Sequence, residues 1–132
     1  MHATRRALLG VALATPALAQ NFPERSLRYI VPFTPAGLTD IMARILANRL
    51  GEVWQKPVVV ENRAGGNAMI GADAVAKSAP DGHSLLAITL THAVNATLFP
   101  QAPYNFLRDL STISILGSLP LLVVVNAASP IR

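Results

Sequence analysis

The chain contains no cysteine, so neither a disulfide nor a thiolate metal site can form, even in an oxidising compartment. Aromatics make up 5% of the residues and do not interleave with Lys or Arg, and no basic run lies beyond the N-terminus. The net charge of +4 is therefore not the footprint of a nucleic-acid binder. Uninterrupted apolar runs long enough to cross a bilayer are missing as well. The N-terminal run, Ala7 to Ala14, is well short of the ~20 residues that span a bilayer, and Pro16 interrupts its end. There is no internal repeat and no low-complexity tract. What is present is 132 residues, 52% of them hydrophobic, enough for one modest domain with a core.

"MHATRRALLGVALATPALAQ" has Arg5 and Arg6, an apolar run and then Ala17-Leu18-Ala19, the small-x-small pattern a signal peptidase cuts after. It reads as an export signal, residues 1–19, cut between Ala19 and Gln20. The adjacent arginines suit a twin-arginine signal or an ordinary one. Without Arg5 and Arg6, nine basic residues face seven acidic ones, a net of +2. That mild positive charge fits an anionic small ligand better than a polyanion.

Beyond the signal, strand and helix patterns alternate. "SLRYIVPF" (Ser26 to Phe33) is β-branched and aromatic and ends at prolines, which predicts a buried strand. Thr39 to Glu52 predicts an amphipathic helix with Ile41, Met42, Ile45, Leu46, Leu50 and Val53 on one stripe and Arg44, Asn48 and Glu52 opposite, Thr39 as its N-cap and Gly51 near its end. "KPVVVEN" (Lys56 to Asn62) reads as a second strand, "RAGGNAM" as a loop, and Ile70 to Ala79 as a short helix stopped by Pro80. A turn then feeds a third strand, Ser84 to Thr89. This order is that of right-handed crossovers on a parallel sheet, so the class is α/β. "THAVNATLFPQAPYNFLRDL" reads as loop with short helical turns. Ser111 to Asn126 is a long apolar, β-branched stretch whose Gly117 and Pro120 favour buried strands over a membrane span.

Phe33 through Asp40 is the stretch in which chemistry concentrates. In open parallel sheets ligands sit beyond the carboxyl ends of strands, where a loop leads into a helix whose first amides are unpaired. Pro32 and Pro35 set the chain's direction, Gly37 permits close approach, and the amides of Leu38, Thr39 and Asp40 would fan into the crevice, making an anion-binding loop. The same residues suit an ordinary strand-to-helix turn capped by Thr39, with Asp40 pairing with Arg44; spacing leaves both open. Other chemistry is thinner. "GGNAMIG" lacks the Lys-Ser/Thr ending of a phosphate loop. His83 and His92 stand nine apart without a further ligand, so they read as surface or turn residues and not as a metal site. Ser84, His92 and Asp81 make a triad only on paper, since no nucleophile elbow frames the serine.

Three blocks, "FPERSLRYIVPFTPAGLTDIMARILANRL", "KPVVVENRAGGNAMIGADAVAKSAPDGHSLL" and "THAVNATLFPQAPYNFLRDLSTISILGSLPLLVVVN", resemble consecutive parts of the tripartite tricarboxylate transporter substrate-binding proteins, the Bug family. The resemblance covers Phe22 to Pro130 in order. It implies a type II periplasmic-binding-protein fold, with two α/β lobes hinged around a cleft that captures a small organic acid and passes it to a membrane permease. It implies a periplasmic protein that is not an enzyme and uses no cofactor, metal or nucleic acid. Carried over by position, the first-lobe ligand loop falls on Phe33, Pro35, Gly37, Leu38, Thr39 and Asp40, with Thr89, Thr91 and His92 lining the same side of the cleft. Family members usually carry a glycine pair or triple in this loop, where this chain has Ala36 and Leu38 flanking Gly37, and Ala64 replaces a usual proline. Members also run to more than twice this length. The resemblance thus implies a truncated first lobe, residues 20–110, and a segment, residues 111–132, that crosses to the start of a second lobe. The alternatives are a secreted α/β hydrolase acting on an anionic substrate and a nonfunctional truncated remnant.

Overall fold

The computed structural model describes residues 22–120 and 122–130; the expected export signal, residues 1–19, lies outside the described residues. Six elements follow in the order β1 (Leu27–Val31), α1 (Leu38–Trp54), β2 (Val58–Asn62), α2 (Met69–Ala76), β3 (Ser84–Leu86) and α3 (Leu90–Leu98). The strands form one parallel sheet in the order β2-β1-β3, the α/β arrangement that alternating patterns predict. Leu27 pairs with Val58 and Val31 with Asn62 on one side, and Arg28 with Ser84 through Ile30 with Leu86 on the other.

Because β1 is central, it is covered on both faces and is almost continuously apolar. Its one charged residue, Arg28, reaches diagonally across the strand pair to grip Glu61 with two bonds, Nε to Oε1 at 2.8 Å and Nη2 to Oε2 at 3.0 Å. The core gathers Tyr29 and Val31 of β1 with Ala43 and Ala47 of α1 and Ala87 after β3, flanked by Phe33, Leu46, Val58, Val60 and Leu85. Two alanines one turn apart let the helix lie close to the strands. α1 ends where Gln55 turns left-handed ahead of Pro57.

Four expectations need correction. The inward stripe of α1 is Asp40, Ala43 and Ala47, joined by the expected Leu46 at the core's margin, whereas Ile41, Met42, Ile45 and Val53 of the expected stripe are exposed. Small residues face the sheet because the backbone must approach it, and the bulkier ones point the other way, where the chain near Gly117 passes Met42. The N-cap of α1 is Gly37 rather than Thr39, which is already helical. The segment after Thr89 forms a helix, α3, whose first turn is closed by the His92 amide donating to Thr89 O at 3.1 Å and by the Thr89 amide donating to His92 Nδ1 at 3.1 Å. Finally, the described residues of Ser111 to Asn126 form no strand, and Ile113 and Val123 are 82% and 97% exposed. Their β-branched character selects a strand only beside a neighbouring strand, and neither β2 nor β3 pairs with them. Among the described residues, no helix is long and apolar enough to cross a membrane.

Candidate functional site

Three parallel strands send their carboxyl ends to one edge of the sheet, and each is followed there by the start of a helix. The loop after β1, residues 32–37, is exposed at Thr34 to Gly37. Gly37 caps α1 with extended backbone (φ −77°) and no side-chain cap bond. Its carbonyl accepts the first helical bond, from Ile41 N at 3.0 Å. Among the described residues nothing accepts from the amides of Gly37, Leu38, Thr39 or Asp40. Four consecutive donors at the positive end of a 17-residue helix are the chemical resource of this edge.

Asp40 turns inward. Its side chain is buried and accepts from Arg44 Nε and Ala36 N at 3.0 Å each through Oδ2, and from Asn62 Nδ2 at 2.9 Å through Oδ1. The Arg44 guanidinium, then the Ala36 and Asn62 donors, hold its carboxyl down at about 2. Asn62, the last residue of β2, also donates to Phe33 O at 3.2 Å and accepts from Arg44 Nη2 at 3.2 Å. Asp40 pairs with Arg44, as the reading of the loop as an ordinary strand-to-helix turn has it.

The loop after β2 runs through four consecutive positive φ values, Gly65, Gly66, Asn67 and Ala68. It is fastened to α3 by a reciprocal pair: Asn67 Nδ2 donates to Asn95 Oδ1 at 2.6 Å, and Asn95 Nδ2 to Asn67 O at 2.7 Å. Gly71, one turn into α2, sits against Pro32 and the Arg63 carbonyl. At the start of α3, the Thr89 amide lies 3.1 Å from His92 Nδ1, while His92 Nε2 and Thr89 Oγ1 are buried without partners. His92 is fully buried, and that burial pushes its pKa below the usual imidazole value.

The sequence-predicted residues fall in two groups that meet. Phe33, Pro35, Gly37, Leu38, Thr39 and Asp40 lie on the β1–α1 loop and first turn, and Thr89, Thr91 and His92 at the start of α3. The rings of Phe33 and His92 join them, edge to face with centroids 6.2 Å apart. His83 and His92 are not surface residues, being 7% and 0% exposed, because each is locked to a nearby backbone group. Among the described residues no three metal-ligating side chains come together. The paper triad falls apart in space: Ser84 begins β3 whereas His92 follows its far end. Cavities of about 330 Å³, beyond α3 at Met69, Leu98 and Phe99, and about 280 Å³, at Phe22, Arg25, Asp81 and His83, contain none of the candidate loop residues. Asn62, Asn67 and Asn95 escape a pattern reading, since each reads locally as an ordinary polar residue; Asn62 alone carried a signal, as the polar end of an apolar strand.

The described residues thus form a parallel α/β unit with unpaired amides at the start of α1. Residues 42–132 match the family described as tripartite tricarboxylate transporter family receptor, and the chain belongs to that family, one of receptors and not of enzymes. It is 45% identical to protein BugT of Bordetella pertussis over 96% of this chain and 41% of that protein. To a protein encoded in the tcbD-tcbE intergenic region of a Pseudomonas species it is 39% identical, over 97% of this chain and 40% of the relative. The chain thus spans about two fifths of the length of these relatives. Among solved structures, one of a periplasmic transporter superposes with a TM-score of 0.61 at 42% identity, covering 64% of this chain and 29% of that one. MatC from Rhodopseudomonas palustris with bound malate superposes at 0.62 with 36% identity, covering 67% and 30%.

Proposed function

We propose that this chain carries the first-lobe half of a small-carboxylate site in a periplasmic solute-binding protein, which delivers its ligand to the permease of a tripartite tricarboxylate-type transporter. The observation that carries this reading is the row of four unengaged amides, Gly37 to Asp40, at the N-terminus of α1. Such donors match a carboxylate in geometry and sign, and they need no metal, nucleophile or general base. Phe33 leads into this row, and its ring stands edge to face against the buried His92 of α3. The likeness to a binding protein solved with malate supports a hydroxy-dicarboxylate as the first ligand to try.

Recognition by backbone amides predicts modest affinity and tolerance among small organic acids, because amides read charge and position rather than a particular side group. The test is a titration of the isotope-labelled chain with malate, citrate and adipate, followed by amide resonances. Binding should move the signals of Gly37, Leu38, Thr39 and Asp40 first and saturably. Saturable binding that leaves those four unmoved, or no response to any organic acid, would refute the reading.

A further inference from the structure

Ala36 is held at φ +66°, in the left-handed region that a residue with a Cβ disfavours. Among the described residues, its amide finds an acceptor in Asp40 Oδ2 at 3.0 Å. The other carboxylate oxygen takes Asn62 Nδ2, which also holds Phe33 O. Two points of the loop, the Phe33 carbonyl and the Ala36 amide, are therefore fixed by one carboxylate and one side-chain amide. Asp40 is 3% exposed and both of its oxygens are engaged, so none is left to meet a ligand. A carboxylate directed at an anion would repel it; here the charge is turned inward and faced by Arg44.

We propose that Asp40, aided by Asn62, is a positioning residue: its carboxylate holds Ala36 left-handed, so that the amides of Gly37, Leu38 and Thr39 open together toward a bound carboxylate that Asp40 never touches. The clause about the ligand rests on the reading given under Proposed function; the clause about Ala36 stands without it. Gly37 is not the residue under conformational demand, since its φ of −77° suits any residue and a Cβ there would meet only Thr34 O at 3.7 Å. The demand falls on position 36, and a glycine there would make the carboxylate dispensable for the loop's shape.

The experiment compares the 132-residue chain with Asp40→Asn, Ala36→Gly and the double variant. Backbone carbon shifts and the amide–Hα coupling report the conformation at residue 36, and a malate titration reports binding. Asp40→Asn should move Ala36 out of the left-handed region, displace the amide signals of residues 37–39 and weaken malate about ten-fold. In the Ala36→Gly background the same change should cost less than about three-fold and leave those amides in place. Ala36 remaining left-handed in Asp40→Asn, or equal losses in both backgrounds, overturns the proposal. If Asp40→Asn alone does not fold, a folded double variant with native amide positions supports it, and a double variant that also fails to fold overturns it. If the unaltered chain ignores malate, citrate and adipate alike, the carboxylate-site reading fails while the conformation at residue 36 still decides this one.

Discussion

Gly71→Ala isolates a single close approach. A Cβ at this position would lie 2.8 Å from Pro32 Cβ, 3.0 Å from Pro32 Cα and 3.0 Å from the Arg63 carbonyl oxygen. Comfortable carbon–carbon contact begins at about 3.5 Å. Two of the three atoms are backbone, and the third is on a proline ring that no rotamer change can move aside. Pro32 is fully buried and leads directly into the candidate loop, so α2 must slide off the sheet edge to make room. Overpacking of this kind costs about 1–3 kcal/mol, and these immobile neighbours put it at the upper end. Replacing a helical glycine with alanine returns about 1 kcal/mol of helix propensity. The net loss is thus about 2 kcal/mol, equivalent to a fall in Tm of roughly 10 °C for a unit of this size. Urea titration followed by far-ultraviolet circular dichroism measures it, with Gly37→Ala, whose Cβ meets only Thr34 O at 3.7 Å, as the control that should lose no more than about 1 kcal/mol of N-cap preference. A Gly71→Ala chain as stable as the parent would mean that α2 does not pack on Pro32 in this way.

Asn95→Ala removes both bonds to Asn67 at a position 1% exposed; it should cost about 1–3 kcal/mol in urea unfolding and speed amide exchange across Gly65 to Ala68. His92 gives a pH signature. Burial lowers its folded pKa, so the unfolded chain takes up a proton first as the solution is acidified. The stability from keeping it neutral is present in full above the unfolded value of about 6.5 and declines as pH falls below it. Unfolding midpoints between pH 8 and 5 should therefore decline, and His92→Gln should flatten that part of the slope.

Elements bounded by strong local signals were legible. The run LRYIV fixes a strand because a central parallel strand is apolar on both faces, and the prolines after it forbid continuation. Helix α1 is legible as a helix, but its inward face is not. Ile41 and Ile45 are larger than Ala43 and Ala47, and hydrophobicity favours them, whereas the distance to the sheet decides for the alanines. The apolar run after Ser111 shows the reverse limit: β-branched residues declare a preference that only a neighbouring strand can satisfy. At the candidate site, the β1–α1 loop could be found from its prolines and glycine next to a helix start. The ties that shape it could not, because Asn62 stands 22 residues from Asp40 and only sheet pairing brings them together.

That pairing has a consequence for the shape of the loop. Asn62 is the partner of Val31 in the β1–β2 ladder, and alternate side chains of a strand project from opposite faces. A slip of one residue between these strands would turn Asn62 to the far side of the sheet and release Phe33 O and Asp40 together. The alignment of two strands is thus itself a determinant of the loop's shape, and errors in it would loosen the loop without altering one of its residues.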